Sequence, residues 1–305
     1  MCPETRLAET ADINEIADLQ ARVWQDHFLR ERNVQVPMMR RTGRNLGYYL
    51  GKEPGGCFVT LEKGKIVGSI VSHVWGSVGW FGPLEVDPRF QDMGIGKALV
   101  LRSVEYLRSK GCTTIGCETM AGSHRNIAFY QRMGFRPKGL SHVMFKILGQ
   151  APPGMRLPRG VSPIEQPPAA AKGMWGSILP GLDYSVEFDS LRKYSLGSAY
   201  GADREGRAGH AIVHTHEMFE ESANAVLKLM VAADIGAAKV LLEACEATAM
   251  AAGKTGMFIR SYDLTPPAIT WFYGNGYTQQ GVSVRLILEG IDESGDINHI
   301  SCWSA

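Results

Sequence analysis

An apolar stretch ending in Leu84-Glu85-Val86-Asp87-Pro88 runs into a short loop with two glycines, Gly94 and Gly96, and then into an amphipathic segment reaching Lys110. A strand, a tight glycine loop and a helix N-terminus together make an anion cradle. The glycines let the backbone approach a ligand closely, and the first helical N–H groups, which lack an intrahelical acceptor, face a phosphate. The helix dipole adds partial positive charge, and Lys97 supplies a full one. The implied chemistry is the holding of a phosphorylated ligand. G-x-x-x-x-G-K-[ST] is absent, so this is not a Walker loop, and the third glycine of a dinucleotide fingerprint is missing.

The wider pattern is more specific. Gln91-x-x-Gly94-x-Gly96, after a strand ending at Val86, resembles the pyrophosphate loop of the GNAT acetyltransferase superfamily. Farther on, Asn126-Ile127-Ala128-Phe129-Tyr130-Gln131-Arg132-Met133-Gly134-Phe135 resembles that family's second signature, N-x-x-A-x-x-x-x-x-G-F with its tyrosine. The resemblance covers residues 1–150. It implies binding of acetyl-CoA as cosubstrate and transfer of acetyl to an amine by direct attack in a ternary complex. The pyrophosphate would then lie on the backbone N–H groups of Asp92, Met93, Gly94, Ile95, Gly96 and Lys97, beside Gln91. The pantetheine arm would pair like an added strand with Leu84, Glu85 and Val86, where the family's sheet splays. Asn126 matches the asparagine that bonds the pantetheine amides, and Tyr130 matches the general acid. A phenol of ordinary pKa about 10 can protonate a thiolate of about 8.5.

The base that frees the attacking amine is left open. Glu85 lies on the strand beside the thioester and Glu118 on the next strand, and alternation along a strand does not tell which faces the pocket; His73 or a water relay is the further option. Each residue also has a plainer reading. Glu85 can pair with Arg89, Tyr130 can be an aromatic packed on Phe129, and Asn126 can cap a helix.

The elements around these residues follow from periodicity. Thr5–Ala8 reads as a strand, and a helix capped at Thr10 or Asp12 carries Ile13, Ile16, Leu19 and Val23 on one face. A second helix is expected over Pro37–Leu50. Cys57–Leu61 and Ile66–Trp75 form a hairpin about Lys63-Gly64, and Trp80–Val86 is the next strand. Helices ending at Gly111 and Gly134 bracket a strand at Thr113–Thr119, and Val143–Leu148 is expected to close the domain. Residues 151–173, rich in Pro, Gly and Ala, read as a linker.

Beyond it the pattern returns at a fixed offset. Gly94 matches Gly236 (236 − 94 = 142), and Lys97, Leu99, Gly111 and Gly134-Phe135 match Lys239, Leu241, Gly253 and Gly276-Tyr277 at the same interval. Gly64-Lys65 and Ile70-Val71 likewise match Gly206-Arg207 and Ile212-Val213. At that offset Gln91 becomes Ala233, Gly96 becomes Ala238, Asn126 becomes Ala268 and Tyr130 becomes Phe272, while Pro266-Pro267 opens the second signature's helix. The expected fold is α/β (α+β): two GNAT-like domains, each a mixed, mostly antiparallel, splayed sheet flanked by helices. Residues 1–150 form the acetyl-CoA-binding copy and 174–305 a degenerate copy kept for its fold.

The 305 residues, 45% hydrophobic with a formal net charge of +1, suit two medium domains and offer no general attraction to nucleic acid or an anionic membrane. Six cysteines without C-x-x-C pairing read as reduced thiols, and no apolar run suggests export or membrane spanning, so a cytoplasmic location is expected. His214-x-His216 could bind a metal but lacks an evident third ligand, so none is assigned. Arg30, Arg32, Arg40, Arg41 and Arg44 read as a solvated face, or as holders of CoA phosphates or an acidic substrate. Trp24, Trp75 and Trp80 line either a pocket or the core. The expected acceptor is a small-molecule or peptide amine, and the chain is expected as a monomer or homodimer. The competing readings are a CoA-binding sensor or interaction protein without transfer, and a transferase for a longer acyl group.

Overall fold

A computed structural model describes residues 3–301 apart from 38, 205–206, 263–265 and 293–298. The first half runs β1 (Glu4–Leu7), α1 (Ile13–Arg32), α2 (Gly43–Lys52), β2 (Phe58–Glu62), β3 (Lys65–Trp75), β4 (Val78–Val86), α3 (Ile95–Ser109), β5 (Thr114–Met120), α4 (His124–Arg132) and β6 (Arg136–Ile147). The second runs β7 (Val161–Pro163), α5 (Ala171–Ile178), α6 (Ser185–Lys193), β8 (Gly197–Arg204), β9 (Arg207–His214), β10 (Asn224–Ala232), α7 (Ile235–Ala251), β11 (Gly256–Tyr262), α8 (Pro266–Gly274), β12 (Thr278–Glu289) and β13 (His299–Ser301).

The strands of the described residues belong to one sheet, in the order β1-β2-β3-β4-β5-β12-β6-β11-β10-β9-β8-β7, with β13 added to β10. The two halves of that order mirror each other, as a duplication requires. β5 pairs with β12 from the second half, β6 pairs with β11, and β6 and β12 pair across the middle, with Ser141 opposite Ser283. The expectation that residues 143–148 close the first domain is thus corrected, because the last strand of each copy is exchanged into the other. Strand alternation reports which face a residue takes, but not which edge its strand joins.

Two boundaries also move. The second helix starts at Gly43 rather than at Pro37, because the Thr42 hydroxyl accepts the Asn45 N–H at 3.2 Å and caps it there. Within the expected linker, Val161–Pro163 adds an edge strand to β8, and Ala171 already begins α5. A strand this short and ending in proline leaves almost no pattern.

Packing divides by sheet face. α3 and α4 cover one face of the first half through Leu99, Val104, Leu107, Phe81, Ile115, Cys117 and Tyr130. α1 and α2 cover the other face, and there Tyr48, Tyr49 and Trp75 join Trp175, Tyr184 and Phe188 of the second half in one continuous core. Inside it the buried Lys52 Nζ meets Glu187 Oε1 at 2.7 Å, while Tyr48 and the Trp75 indole also donate to Glu187. Such a pair stays charged only because every partner is supplied.

Candidate active site

The cradle is built at the start of α3. Gly94 is its N-cap with φ +83°, a left-handed conformation that leaves side chains strained, and open space surrounds it. The first helical bond runs from Ala98 N–H to Gly94 O at 3.0 Å, so the N–H groups of Ile95, Gly96 and Lys97 have no acceptor within the helix. No side chain caps them. The Gln91 amide donates to Val86 O at 3.0 Å and accepts from Arg30 at 2.9 Å, fixing the loop to both β4 and α1. Asp92 pairs with Arg125 at 2.8 Å, while Met93 and Lys97 stay exposed.

A gap opens beside the cradle. β4 and β5 pair in parallel from Val78↔Thr114 to Phe81↔Cys117 and no farther. Past that point Leu84, Glu85 and Val86 remain on β3, whereas Glu118 to Met120 follow β12. Among the described residues the β4 edge facing the gap has no strand partner, which is the geometry that accepts an extended ligand by main-chain bonds.

Glu85 and Tyr130 lie on opposite faces of this opening. Glu85 sits on the α1–α2 side, 3% exposed, and accepts from the Ser69 hydroxyl at 2.9 Å through Oε2. Its other oxygen is buried with no hydrogen-bond partner among the described residues. Burial pushes its pKa up to about 7, against the opposing pull of Arg41 and the Ser69 bond. Arg89, the alternative partner, instead pairs with Asp87 at 2.8 Å. Tyr130 comes from α4 on the α3 side, packed among the rings of Phe81, Phe129 and Phe135, and no described residue hydrogen-bonds its hydroxyl. Burial, then Cys117 and Glu85, raises its pKa well above 10, so it remains a proton donor. Asn126 does not cap its helix: Ser123 is the N-cap, and the Asn126 amide donates to Thr119 Oγ1 at 3.3 Å.

The other candidates are engaged by neighbouring groups. Glu118 shares the face of Glu85, but its side chain is bound by Arg285 Nε at 2.9 Å and the Ser141 hydroxyl at 2.8 Å. The His73 Nε2–H donates to Gly82 O at 2.8 Å, and burial keeps the ring neutral. Trp75 and Trp80 are core residues. Of the arginine group expected as a solvated face, Arg41 is instead 5% exposed. Sequence reasoning missed Arg41 and Ser69 as neighbours of Glu85. Ser69 is its cross-strand partner, but Arg41 comes from an irregular segment without periodicity.

Residues 13–135 match the model of the Acetyltransferase (GNAT) family. These residues form a GNAT-family domain. An N-alpha-acetyltransferase MAK3 of Arabidopsis thaliana is 32% identical over 31% of this chain and 53% of its own length, so the chain spans about half of that curated relative. Over the whole chain the fold is similar to a candidate acetyltransferase of Pyrococcus horikoshii (TM-score 0.72, 17% identity, 99% of this chain and 94% of that one). It is also similar to a tandem GNAT protein from the clavulanic acid biosynthesis pathway (TM-score 0.61, 16% identity, 95% and 100%). The duplicated sheet is a tandem GNAT fold.

The second GNAT fold keeps the frame and fills both features of the site. Between β10 and α7 only Ala233 separates Ala232 from the N-cap Asp234, where the first copy has residues 87–93. Asp234 therefore takes the N-cap place that Gly94 has in the first copy, and its carboxylate accepts the Gly236 and Ala237 N–H groups at 2.7 and 3.0 Å. The expected match of Gln91 with Ala233 is corrected by the shorter loop, and the cap moves: α7 starts two residues earlier than α3 (17 − 15 = 2), so Asp234 is its N-cap, while Gly236, the match of Gly94, lies in its first turn. In the gap, β13 pairs with Leu229–Val231, the counterparts of Leu84–Val86. The chain's own carboxylate and strand thus take both places. Phe272 replaces Tyr130 and is fully buried. Gly206 and the side chains of Arg207, Pro266, Pro267 and Ala268 lie outside the described residues.

His214 and His216 have rings 5.3 Å apart, but among the described residues no three ligating side chains converge. No described helix is long and apolar enough to cross a membrane.

Proposed function

We propose that the chain is an acetyl-CoA-dependent N-acetyltransferase whose reaction site lies in the first GNAT domain, the acceptor being a primary amine of a small molecule or peptide. The observation that carries this is the gap between β4 and β5, with an uncapped helix N-terminus at one end and Glu85 and Tyr130 on its two faces. The residues fit acetyl-CoA: three helical N–H groups suit a diphosphate, and the free edge of Leu84–Val86 suits the two amides of a pantetheine arm. Acetyl-CoA supplies the activated thioester.

Glu85 would take the proton of the incoming ammonium or amine. With a pKa of about 7 it is substantially ionised at neutral pH, yet basic enough to compete for that proton. The amine nitrogen forms its bond to the thioester carbon as the carbon–sulfur bond breaks, and Tyr130 gives its proton to the departing sulfur. An N–H of the Leu84–Val86 edge would hold the developing oxyanion. In the second GNAT fold, with Asp234 and β13 in the corresponding places, we assign no catalysis and no cofactor site.

The test is release of CoA thiol from acetyl-, propionyl- and succinyl-CoA across a panel of amino sugars, polyamines, amino acids and peptide N-termini. Thiol release with acetyl-CoA and one amine class supports the proposal. Preference for a longer acyl group would revise its donor. Tight CoA binding without release from any amine would replace it with a sensor.

A further inference from the structure

Arg41 is tied to the second half of the chain. It lies in the segment between α1 and α2, where the backbone of residues 40–42 is stitched to residues 217–220. Thr42 N–H donates to Met218 O at 3.1 Å, the Thr42 hydroxyl to Glu217 O at 2.6 Å, and Glu220 N–H to Arg40 O at 2.8 Å. Arg41 and Phe219 form an isolated antiparallel bridge. The guanidinium is held between two rings, 4.9 Å from the centroid of Phe219 and 5.3 Å from that of Tyr49. Its Nη1 donates to Asn45 Oδ1 at 2.9 Å and to Tyr49 Oη at 3.1 Å. Asn45 in turn donates to His216 Nε2 at 3.3 Å, a ring fixed by its Nδ1–H bond to Leu196 O at 3.2 Å.

We infer that the second GNAT fold takes part in catalysis through this clamp, Phe219 and the 217–220 segment fixing the buried Arg41 on the α1–α2 side of the opening, the side that Glu85 also takes. Arg41 is then a positioning residue, and Phe219 is the group that places it. The inference rests on the reading of Glu85 as the base. A stacked, forked guanidinium keeps its charge and its place as a flexible ammonium does not. The groups acting on Glu85 from the surrounding elements are Arg41 before α2, the Ser69 hydroxyl on β3 and, across the gap, Tyr130 on α4. His73 on β3 and His216 beside Asn45 are neutral, so Arg41 supplies the positive charge. Loss of that charge moves the Glu85 midpoint upward, because an opposite charge favours the ionised form.

The experiment is a carbon-13 NMR titration of glutamate-labelled full-length protein without ligand, with the Glu85 resonance assigned by its absence in Glu85→Gln. Arg41→Gln should raise the Glu85 midpoint by about half a unit or more, with Arg41→Lys intermediate, because an ammonium keeps the charge but not the stacked, forked hold. In a Phe219→Ala background the Arg41→Gln shift should shrink to less than half, since Arg41 is no longer held in place. Phe219→Leu serves the same purpose if the alanine variant does not fold. The acid limb of kcat/KM should follow these midpoints. A Glu85 midpoint indifferent to Arg41→Gln, or a shift equally large with and without Phe219, overturns the clamp. Midpoints that move as stated while no amine is acetylated at any pH support the clamp and overturn the base role.

Discussion

Glu118 and Arg260 occupy equivalent positions in the two halves (260 − 118 = 142) and face each other across the junction, Arg260 Nη1 lying 3.9 Å from Glu118 Oε2. Their serine partners obey the same relation. Ser141 donates to Glu118 at 2.8 Å, and Arg260 reaches Ser283 at 3.5 Å. Two identical copies would oppose like charges here, whereas the fused chain opposes unlike ones, so divergence of the halves made the junction complementary. Arg285, fully buried, completes it at 2.9 Å from Glu118.

Glu118 should therefore matter to stability rather than to proton transfer. Glu118→Ala is expected to cost about 1–3 kcal/mol, because the buried Arg285 loses one carboxylate partner and keeps Asp292 at 3.3 Å. Urea denaturation measures the loss, and the pH profile of the folded fraction should match that of wild type. A shifted acid limb would return Glu118 to the list of bases.

Glu85→Gln separates function from stability in the opposite sense. Turnover should fall by about 10²–10⁴-fold, the usual contribution of general-base catalysis. Stability should rise. The folded pKa of about 7 lies above the ordinary carboxylate value of 4.5, so burial of Glu85 is tolerated fully below the unfolded pKa and becomes unfavourable as pH rises through 7. The variant should unfold like wild type near pH 4 and be more stable by up to about 3 kcal/mol at pH 8. Equal stabilities at pH 8 would mean that Glu85 is not buried as a carboxylate.

Tyr130→Phe keeps the ring among Phe81, Phe129 and Phe135 and removes only the hydroxyl. Turnover with acetyl-CoA should fall by about 10²-fold or more, with CoA affinity changed by less than about threefold. Unchanged turnover would leave Tyr130 a packing residue.

Gly94→Asp brings a carboxylate to the head of α3, as Asp234 does at α7, although Asp234 caps from extended backbone (φ −160°) and Gly94 is left-handed (φ +83°). Aspartate tolerates the left-handed conformation better than most side chains. Its carboxylate should then compete with the diphosphate for the α3 N–H groups and weaken acetyl-CoA binding by about tenfold or more. Calorimetry on wild type should give one site per chain. Two sites would show that Asp234 and β13 give way to the ligand.

Much of this protein was legible in its sequence, because the features concerned are local. A left-handed N-cap needs glycine, so the Gly94 loop announces itself; the apolar frame of α3 repeats in α7, so the duplication does too. The order of the two signatures led to the expectation that Asn126 and Tyr130 lie near the Gly94 loop, while the face taken by Glu85 stayed open. What the tertiary structure decided is pairwise and long-range. The exchange of β6 and β12 depends on which edge is free once the whole sheet forms. The engagement of Glu118 depends on Arg285, which is 167 residues distant from it along the chain (285 − 118 = 167). The burial of Arg41 depends on Phe219, and the closing of the second site on a length change that moves Asp234, rather than Gly236, to the head of α7. Sequence types each of these side chains, but a charge acquires its role from the partner that folding brings beside it.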